Sequence, residues 1–222
     1  MASRLIWVFI GAGLLLSGLV VGVRWQPTAS VSASGGVSPK APLPEQLLLY
    51  QSPQTLPDFA LRSERGETLR PAQLQGQWTL AFVGYTQCPD LCPMTLATLV
   101  GAVADLQQQV SQPVAIWFIS VDPHRDTPLQ LQQYAQYFQQ PALRAMTTDH
   151  PQLLPLTRAL GLMYITDESP EHYQVNHSSA IAIINPEGKL VAQVKPLMSA
   201  ETPVAVVSRR QLLMAWRAIQ RP

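Results

Sequence analysis

Charge and cysteine are both scarce in this chain. Of its 222 residues 13% are charged, and 15 Lys and Arg against 14 Asp and Glu leave a formal net charge of +1. So even a balance supplies no strong field to hold a polyanion. No Lys/Arg cluster interleaved with aromatics occurs, which excludes nucleic acid as a partner. There are two cysteines, Cys88 and Cys92. Two cannot build a disulfide scaffold, and a domain of this length does not need a staple. The pair, spaced Cys-x3-Cys with a proline after each sulfur residue, therefore calls for a chemical reason. Histidine is confined to His124, His150, His172 and His177. No internal repeat is present.

Apolar residues are abundant at 47%, and part of the excess sits at the start. "LIWVFIGAGLLLSGLVVGV", Leu5–Val23, is an uncharged run of about the length that spans a bilayer. Arg4 and Arg24 bracket it. Residues 1–24 are expected to be an N-terminal membrane anchor with the amino end in the cytoplasm. A cleaved signal peptide, with "VSA" at 31–33 as its cleavage site, is the alternative. No cysteine lies directly after the run, which excludes lipidation there. Residues 25–56, rich in Pro, Ser, Ala, Gly and Gln, read as a flexible tether. Within it "LLLY", 47–50, has the look of a short strand or packed turn. Residues 57–222 are expected to form one globular domain.

Along that domain, "DFALRSERGETLR" reads as a hairpin. "WTLAFVGY", 78–85, and "VAIWFISV", 114–121, are continuous apolar runs expected as buried strands. Between them, 92–110 carries Leu96, Leu99, Val103, Leu106 and Val110 at helical spacing. "TPLQLQQYAQYF" is a helix with Thr127 as N-cap and Pro128 in its first position. "HPQLLPLTRALG" predicts another helix, broken or bent near Pro155. "SSAIAIIN", 178–185, and "KLVAQV", 189–194, pair across a "PEG" turn. A last helix, again opening on Thr-Pro, closes the chain. This order implies an α/β, thioredoxin-like sandwich with an N-terminal β-hairpin, preceded by one transmembrane helix.

Asp90 is placed as N-cap, with Leu91, Cys92 and Pro93 in the first helical turn. Cys88 then lies in the loop and Cys92 inside the helix, whose positive end favours thiolate over thiol. Such a loop brings two sulfurs together as a disulfide, a redox pair or part of a metal site. Two thiolates select Cu(I) or Zn(II), or Cu(II) when an imidazole joins them. His177 is the candidate third ligand, since it is placed at the mouth of the apolar strand that follows. His124 and His172 read as solvated loop residues and His150 as a helix cap. A structural zinc site would want a fourth protein ligand, and none is evident. Spacing by itself leaves these alternatives open.

"FVGYTQCPDLCPMTLATL", "FISVDPHRDTPLQLQQYAQYF" and "YQVNHSSAIAIINPEGKL" resemble, in order and spacing, the three blocks of the Sco/SenC family. The resemblance covers roughly residues 55–220. It implies one copper ion, Cu(I) or Cu(II), on Cys88, Cys92 and His177. It also implies a membrane-anchored carrier that delivers copper to the dinuclear centre of cytochrome c oxidase, or keeps that centre's cysteines reduced. The implied partners are the oxidase's copper-centre subunit and a copper donor protein. The implied location is the inner (plasma) membrane, single-pass, with the domain on the periplasmic side. Gln87 departs from the pattern, since many relatives have His there.

In "VDPHRDTP", Asp122 and Asp126 read either as a capped turn or, by the resemblance, as outer-shell support or partner surface beside the metal. Met94 is expected to pack in its helix, and Trp78, Trp117 and Tyr85 to be core or rim. The competing function is an extracytoplasmic thiol–disulfide oxidoreductase. Against it, thioredoxin-type enzymes use Cys-x-x-Cys and place a cis-proline before the later hairpin, where "QVNHSSA" has none. A peroxiredoxin pattern is absent, because positions 81 and 85 are Ala and Tyr.

Overall fold

In the computed structural model the described residues are 44–167, 169, 173–197 and 205–221. The expected anchor, most of the expected tether and His172 lie outside them. Among the described residues no helix is long and apolar enough to cross a membrane.

In chain order the elements are β1 (Leu47–Thr55), β2 (Leu61–Ser63), β3 (Thr68–Leu69), β4 (Trp78–Gly84), α1 (Leu91–Gln107), β5 (Val114–Ser120), α2 (Pro128–Tyr137), β6 (Leu143–Thr147), α3 (His150–Ala159), β7 (Tyr164–Asp167), β8 (Gln174–His177), β9 (Ile181–Ile184), β10 (Lys189–Val194) and α4 (Arg209–Ile219). Among the described residues, the main sheet runs β1-β10-β9-β4-β5-β6-β2-β3, and β7-β8 make a separate two-stranded ribbon. β4, β5 and β6 are parallel, and every other pairing is antiparallel. β4 and β5 are in register from Trp78↔Val114 to Gly84↔Ser120. Both are covered on both faces, which is why they read as unbroken apolar runs rather than alternating ones.

One face of the sheet packs against α1, α2 and α4 through Leu96, Leu99, Leu106, Leu131, Leu212 and Trp216. The other packs against α3 through Leu153, Leu156 and Leu160, with Phe59 and Trp117. This is the expected α/β sandwich. α2 begins as expected: Thr127 accepts a hydrogen bond from the Gln130 N–H, and Pro128 occupies the first turn. α3 runs through Pro155 without a break.

Four elements differ from the sequence expectation. Leu47–Thr55, within the expected tether, is a nine-residue edge strand, which bears out the short strand expected at 47–50 and extends it to Thr55. It gains its hydrogen bonds from β10, a partner some 140 residues away that local composition does not reveal. β6 is a short interior strand next to β5, unmarked by a long apolar run. The last helix starts at Arg209, capped by Ser208 and Gln211 in a reciprocal box. Residues 205–208 ahead of it are not helical, so the expected Thr-Pro opening is not where this helix starts. Finally, His177 does not open the apolar strand. It ends β8, paired opposite Tyr164, and the chain passes through Ser178–Ala180 before β9.

Candidate metal centre

The C-terminal end of β4 delivers the chain into the loop that carries Cys88, and α1 begins three residues later. Asp90 holds the N-cap position, but its side chain makes no capping bond. Cys92 falls in the first turn, where backbone N–H groups have no intrahelical partner. Its own N–H points at Cys88 Sγ, 3.4 Å away. Cys92 is fully buried and Cys88 partly so, and both are free thiols.

Gly84, the last residue of β4, lies directly beneath. A Cβ on it would come within 2.7 Å of Cys92 Sγ and 2.8 Å of Phe118 Cε2. Only a residue with no side chain lets the sulfur settle against the strand. This requirement was invisible in the sequence, where "VGY" is an ordinary strand end.

His177 comes over the site from the β7–β8 ribbon. Its Nε2 is 3.2 Å from Cys92 Sγ. Its Nδ1 is 3.0 Å from the Ser178 carbonyl. A carbonyl oxygen only accepts, so Nδ1 carries the proton and Nε2 keeps its lone pair toward the sulfurs. The ring stands edge-on to Phe82 and Tyr85, at centroid distances of 5.8 and 6.0 Å. The ligand atoms of Cys88, Cys92 and His177 all lie within 4.8 Å of one another. Among the described residues they are the one such group of His, Cys, Asp or Glu side chains.

The two thiols are electrostatically unequal. Hydrogen bonding from Cys92, outweighing burial, holds Cys88 well below the ordinary thiol range. The same bond and burial push Cys92 up. In the metal-free pair, Cys88 is thus the thiolate and Cys92 keeps its proton. Tyr85, at the rim, is raised by burial and then by the nearby Cys88.

Asp122 and Asp126 are both fully buried, so neither forms part of an exposed partner surface. Asp126 accepts hydrogen bonds from the Thr86 N–H (2.8 Å), the Thr86 hydroxyl (2.6 Å) and the Ser120 hydroxyl (2.6 Å). It thereby ties the end of β5 to the loop two residues before Cys88. Asp122 accepts from Arg125 and Tyr173. Neither carboxylate belongs to the converging group of ligand atoms. Both support the loops around it, and the partners that do this, Thr86, Ser120, Arg125 and Tyr173, were not singled out by sequence reasoning.

Met94 is 48% exposed rather than packed, because its position in the first turn faces away from the sheet. Trp117 is buried in the α3-side core, and Trp78 packs against Trp216. His150 begins α3 with its Nδ1 2.9 Å from the Tyr164 hydroxyl, and His124 is its neighbour at 6.5 Å between ring centroids. Both line a separate open cleft with Arg62 and Arg70, and neither joins the cysteines.

Comparison with known proteins agrees with this geometry. The SCO1/SenC family model matches residues 49–211. An SCO2-like protein of Rickettsia felis is 30% identical over 156 residues, covering 68% of this chain and 75% of that protein. The mitochondrial SCO2 homolog of Bos taurus is 35% identical over 167 residues, covering 74% of this chain. The match spans 62% of the bovine protein, less than two thirds of its length. Among solved structures, Arabidopsis thaliana ScoI with copper bound superposes with a TM-score of 0.56 at 32% identity, covering 62% of this chain and 85% of that one. The apo Sco1 protein of Thermus thermophilus gives 0.62 at 26% identity, covering 81% and 99%.

Proposed function

Because the chain belongs to the SCO1/SenC family, we propose that it is a copper carrier, holding one ion on Cys88, Cys92 and His177. The observation that carries this reading is the convergence of two sulfurs and one unprotonated imidazole nitrogen within 4.8 Å. With metal–sulfur bonds of about 2.3 Å and metal–nitrogen bonds of about 2.0 Å, one ion between three such donors requires separations of roughly 4 Å. The donor set is soft enough for Cu(I), and the imidazole makes Cu(II) acceptable.

The arrangement suits a cargo rather than a resident cofactor. Three donors leave room for a ligand from another protein. Cys92 is fully buried, with its sulfur against Gly84, while Cys88 is partly exposed. An incoming sulfur therefore exchanges on the Cys88 side, with Cys92 the last donor to let go. The acceptor is the dinuclear copper centre of cytochrome c oxidase, loaded from a copper donor protein. The run Leu5–Val23, of bilayer length, anchors the domain to the inner membrane on the periplasmic side.

Loading the reduced full chain with Cu(II) tests the reading. A thiolate-to-copper charge-transfer band and one copper per chain are expected. His177→Ala weakens the band, and Cys88→Ser or Cys92→Ser abolishes it. A wild-type chain that retains no copper after desalting overturns the reading.

The asymmetry of the thiols favours a second reading, thiol–disulfide exchange. The Cys88 thiolate attacks a disulfide of the partner and forms a mixed disulfide. Cys92, losing its proton, then attacks Cys88 and releases the partner's second thiolate. Two electrons pass to the partner, and Cys88–Cys92 is left oxidised. Rapid reduction of the oxidase subunit's cysteines, with copper binding unaffected by His177→Ala, supports this reading over the first.

A further inference from the structure

The third donor rides on a ribbon whose two strands hydrogen-bond only to each other among the described strands. The main sheet therefore does not fix the height or angle of His177 over the sulfurs. Tyr164 and Val175 seat one face of the ribbon in the α3-side core, and the Tyr164 hydroxyl meets His150, but neither links the ribbon to the cysteine loop.

We infer that Arg125 is a positioning residue for His177, latching the β7–β8 ribbon to the cysteine loop through a Tyr85–Arg125–Tyr173 stack. The guanidinium carbon lies 3.8 Å from the ring centroid of Tyr173 and 5.5 Å from that of Tyr85. Both distances are within the range of cation–π attraction. Tyr173 immediately precedes β8, four residues before His177, and Tyr85 is three residues before Cys88. One side chain therefore touches both halves of the site. The Cys88 N–H also donates to the Tyr85 carbonyl at 3.2 Å, so Tyr85 is part of the turn that presents the sulfur.

The latch has a fixed root. Arg125 Nε donates to Asp122 Oδ2 at 2.5 Å, and the Tyr173 hydroxyl donates to Asp122 Oδ1 at 2.5 Å. Asp122 is fully buried two residues past β5, so a rigid strand sets its position. The guanidinium plane is thus held by the carboxylate on one edge and faces an aromatic ring. An ammonium at the same place keeps the charge but not the plane. The arginine is 28% exposed, at the wall of an open cleft of about 380 Å³ shared with Gln87, Gln174 and Asn176.

This inference deepens the copper-carrier reading and rests on it for its metal readout, but its first test needs no metal. Amide hydrogen exchange on the metal-free full chain compares wild type with Arg125→Ala. Protection across Tyr164–Asp167 and Gln174–His177 is expected to fall about tenfold, the scale of a lost cation–π contact and charge-assisted hydrogen bond. β4 and β5 keep theirs. Unchanged protection in the ribbon overturns the latch. If Arg125→Ala loses protection everywhere, Arg125→Lys decides: ribbon-only loss supports the latch, and wild-type protection overturns it.

The second test uses Cu(II). In Arg125→Ala the nitrogen coupling in the paramagnetic resonance spectrum is expected to weaken and affinity to fall about tenfold. Tyr173→Phe, which keeps the ring but not the bond to Asp122, should lose less. A full nitrogen signature in Arg125→Ala overturns the proposal. If wild type takes up no copper, the carrier reading fails, and the exchange experiment still decides the latch.

Discussion

Cys92 Sγ and His177 Nε2 lie 3.2 Å apart across 85 residues of chain. One belongs to a helix start and the other to the end of a strand in a detached ribbon, and no local sequence feature links them. The Cys88–Cys92 hydrogen bond beside that contact orders the thiol chemistry, lowering Cys88 and, with burial, raising Cys92.

Selective alkylation reports that order. Cys88 keeps its thiolate well below the ordinary thiol pKa of about 8.5, whereas Cys92 does not. Iodoacetamide is expected to label Cys88 first, at a rate nearly constant from about pH 8 down to about pH 6, where an unperturbed thiol slows more than tenfold. Peptide mass spectrometry of timed samples checks this. Faster labelling of Cys92 contradicts the assignment.

Gly84→Ala places a methyl group within 2.7 Å of Cys92 Sγ. Neither the sulfur nor the Phe118 ring can withdraw without leaving the core. A loss of about 1–3 kcal/mol in denaturant unfolding is expected, the cost of overpacking a filled site. Copper binding weakens with it, because the buried sulfur is displaced. Wild-type stability together with wild-type affinity contradicts the close fit.

Asp126→Asn replaces an acceptor of three hydrogen bonds with a group that accepts fewer and brings donors of its own. At least one buried donor loses its partner, at about 1–3 kcal/mol. The variant should also change the pH dependence. Burial, the largest influence on Asp126, raises its folded pKa above the unfolded value of about 3.9. A raised pKa contributes stability that is fully present below the unfolded value and is lost as pH rises through the folded one. The Asn variant lacks that decline just above about pH 4, and its stability curve there is flatter in urea titrations.

Trp216 gives a prediction away from the site. It is fully buried, 5.1 Å from the Trp78 ring, and its indole N–H has no hydrogen-bond partner among the described residues. Trp216→Ala should cost about 3–5 kcal/mol. Trp216→Phe should cost clearly less, because it also removes the unpartnered donor. Thermal unfolding of the two variants makes the comparison.

What was legible in the sequence follows the range of the forces involved. β4 and β5 could be read because burial on both faces leaves a continuous apolar run. Thr127–Pro128 could be read because capping is local. Of β1 only Leu47–Tyr50 is legible as a short strand, and its extension to Thr55 is not, because its partner, β10, is remote and its own residues are mostly exposed. The ribbon was missed because its strands are short and largely polar, so His177 was assigned to the wrong strand although it reaches the expected neighbours. Asp122 and Asp126 read as a capped turn or as support or partner surface beside the metal, and nothing local in "VDPHRDTP" shows that both are buried. Their burial depends on Thr86, Ser120 and Tyr173, which only the fold brings near. Met94 looked like core by its letter, and its helix face decided otherwise.

The parallel pairing that ends at Gly84↔Ser120 brings two chain segments out of the sheet level with each other. A slip of one residue there would turn every side chain of the strand to the opposite side. Ser120 would no longer face Asp126, and the seat for the deeper sulfur would be filled by Val83 or Tyr85. A misaligned molecule would thus be unable to load metal at all, so uptake of the ion doubles as a check that the middle of the sheet has assembled correctly.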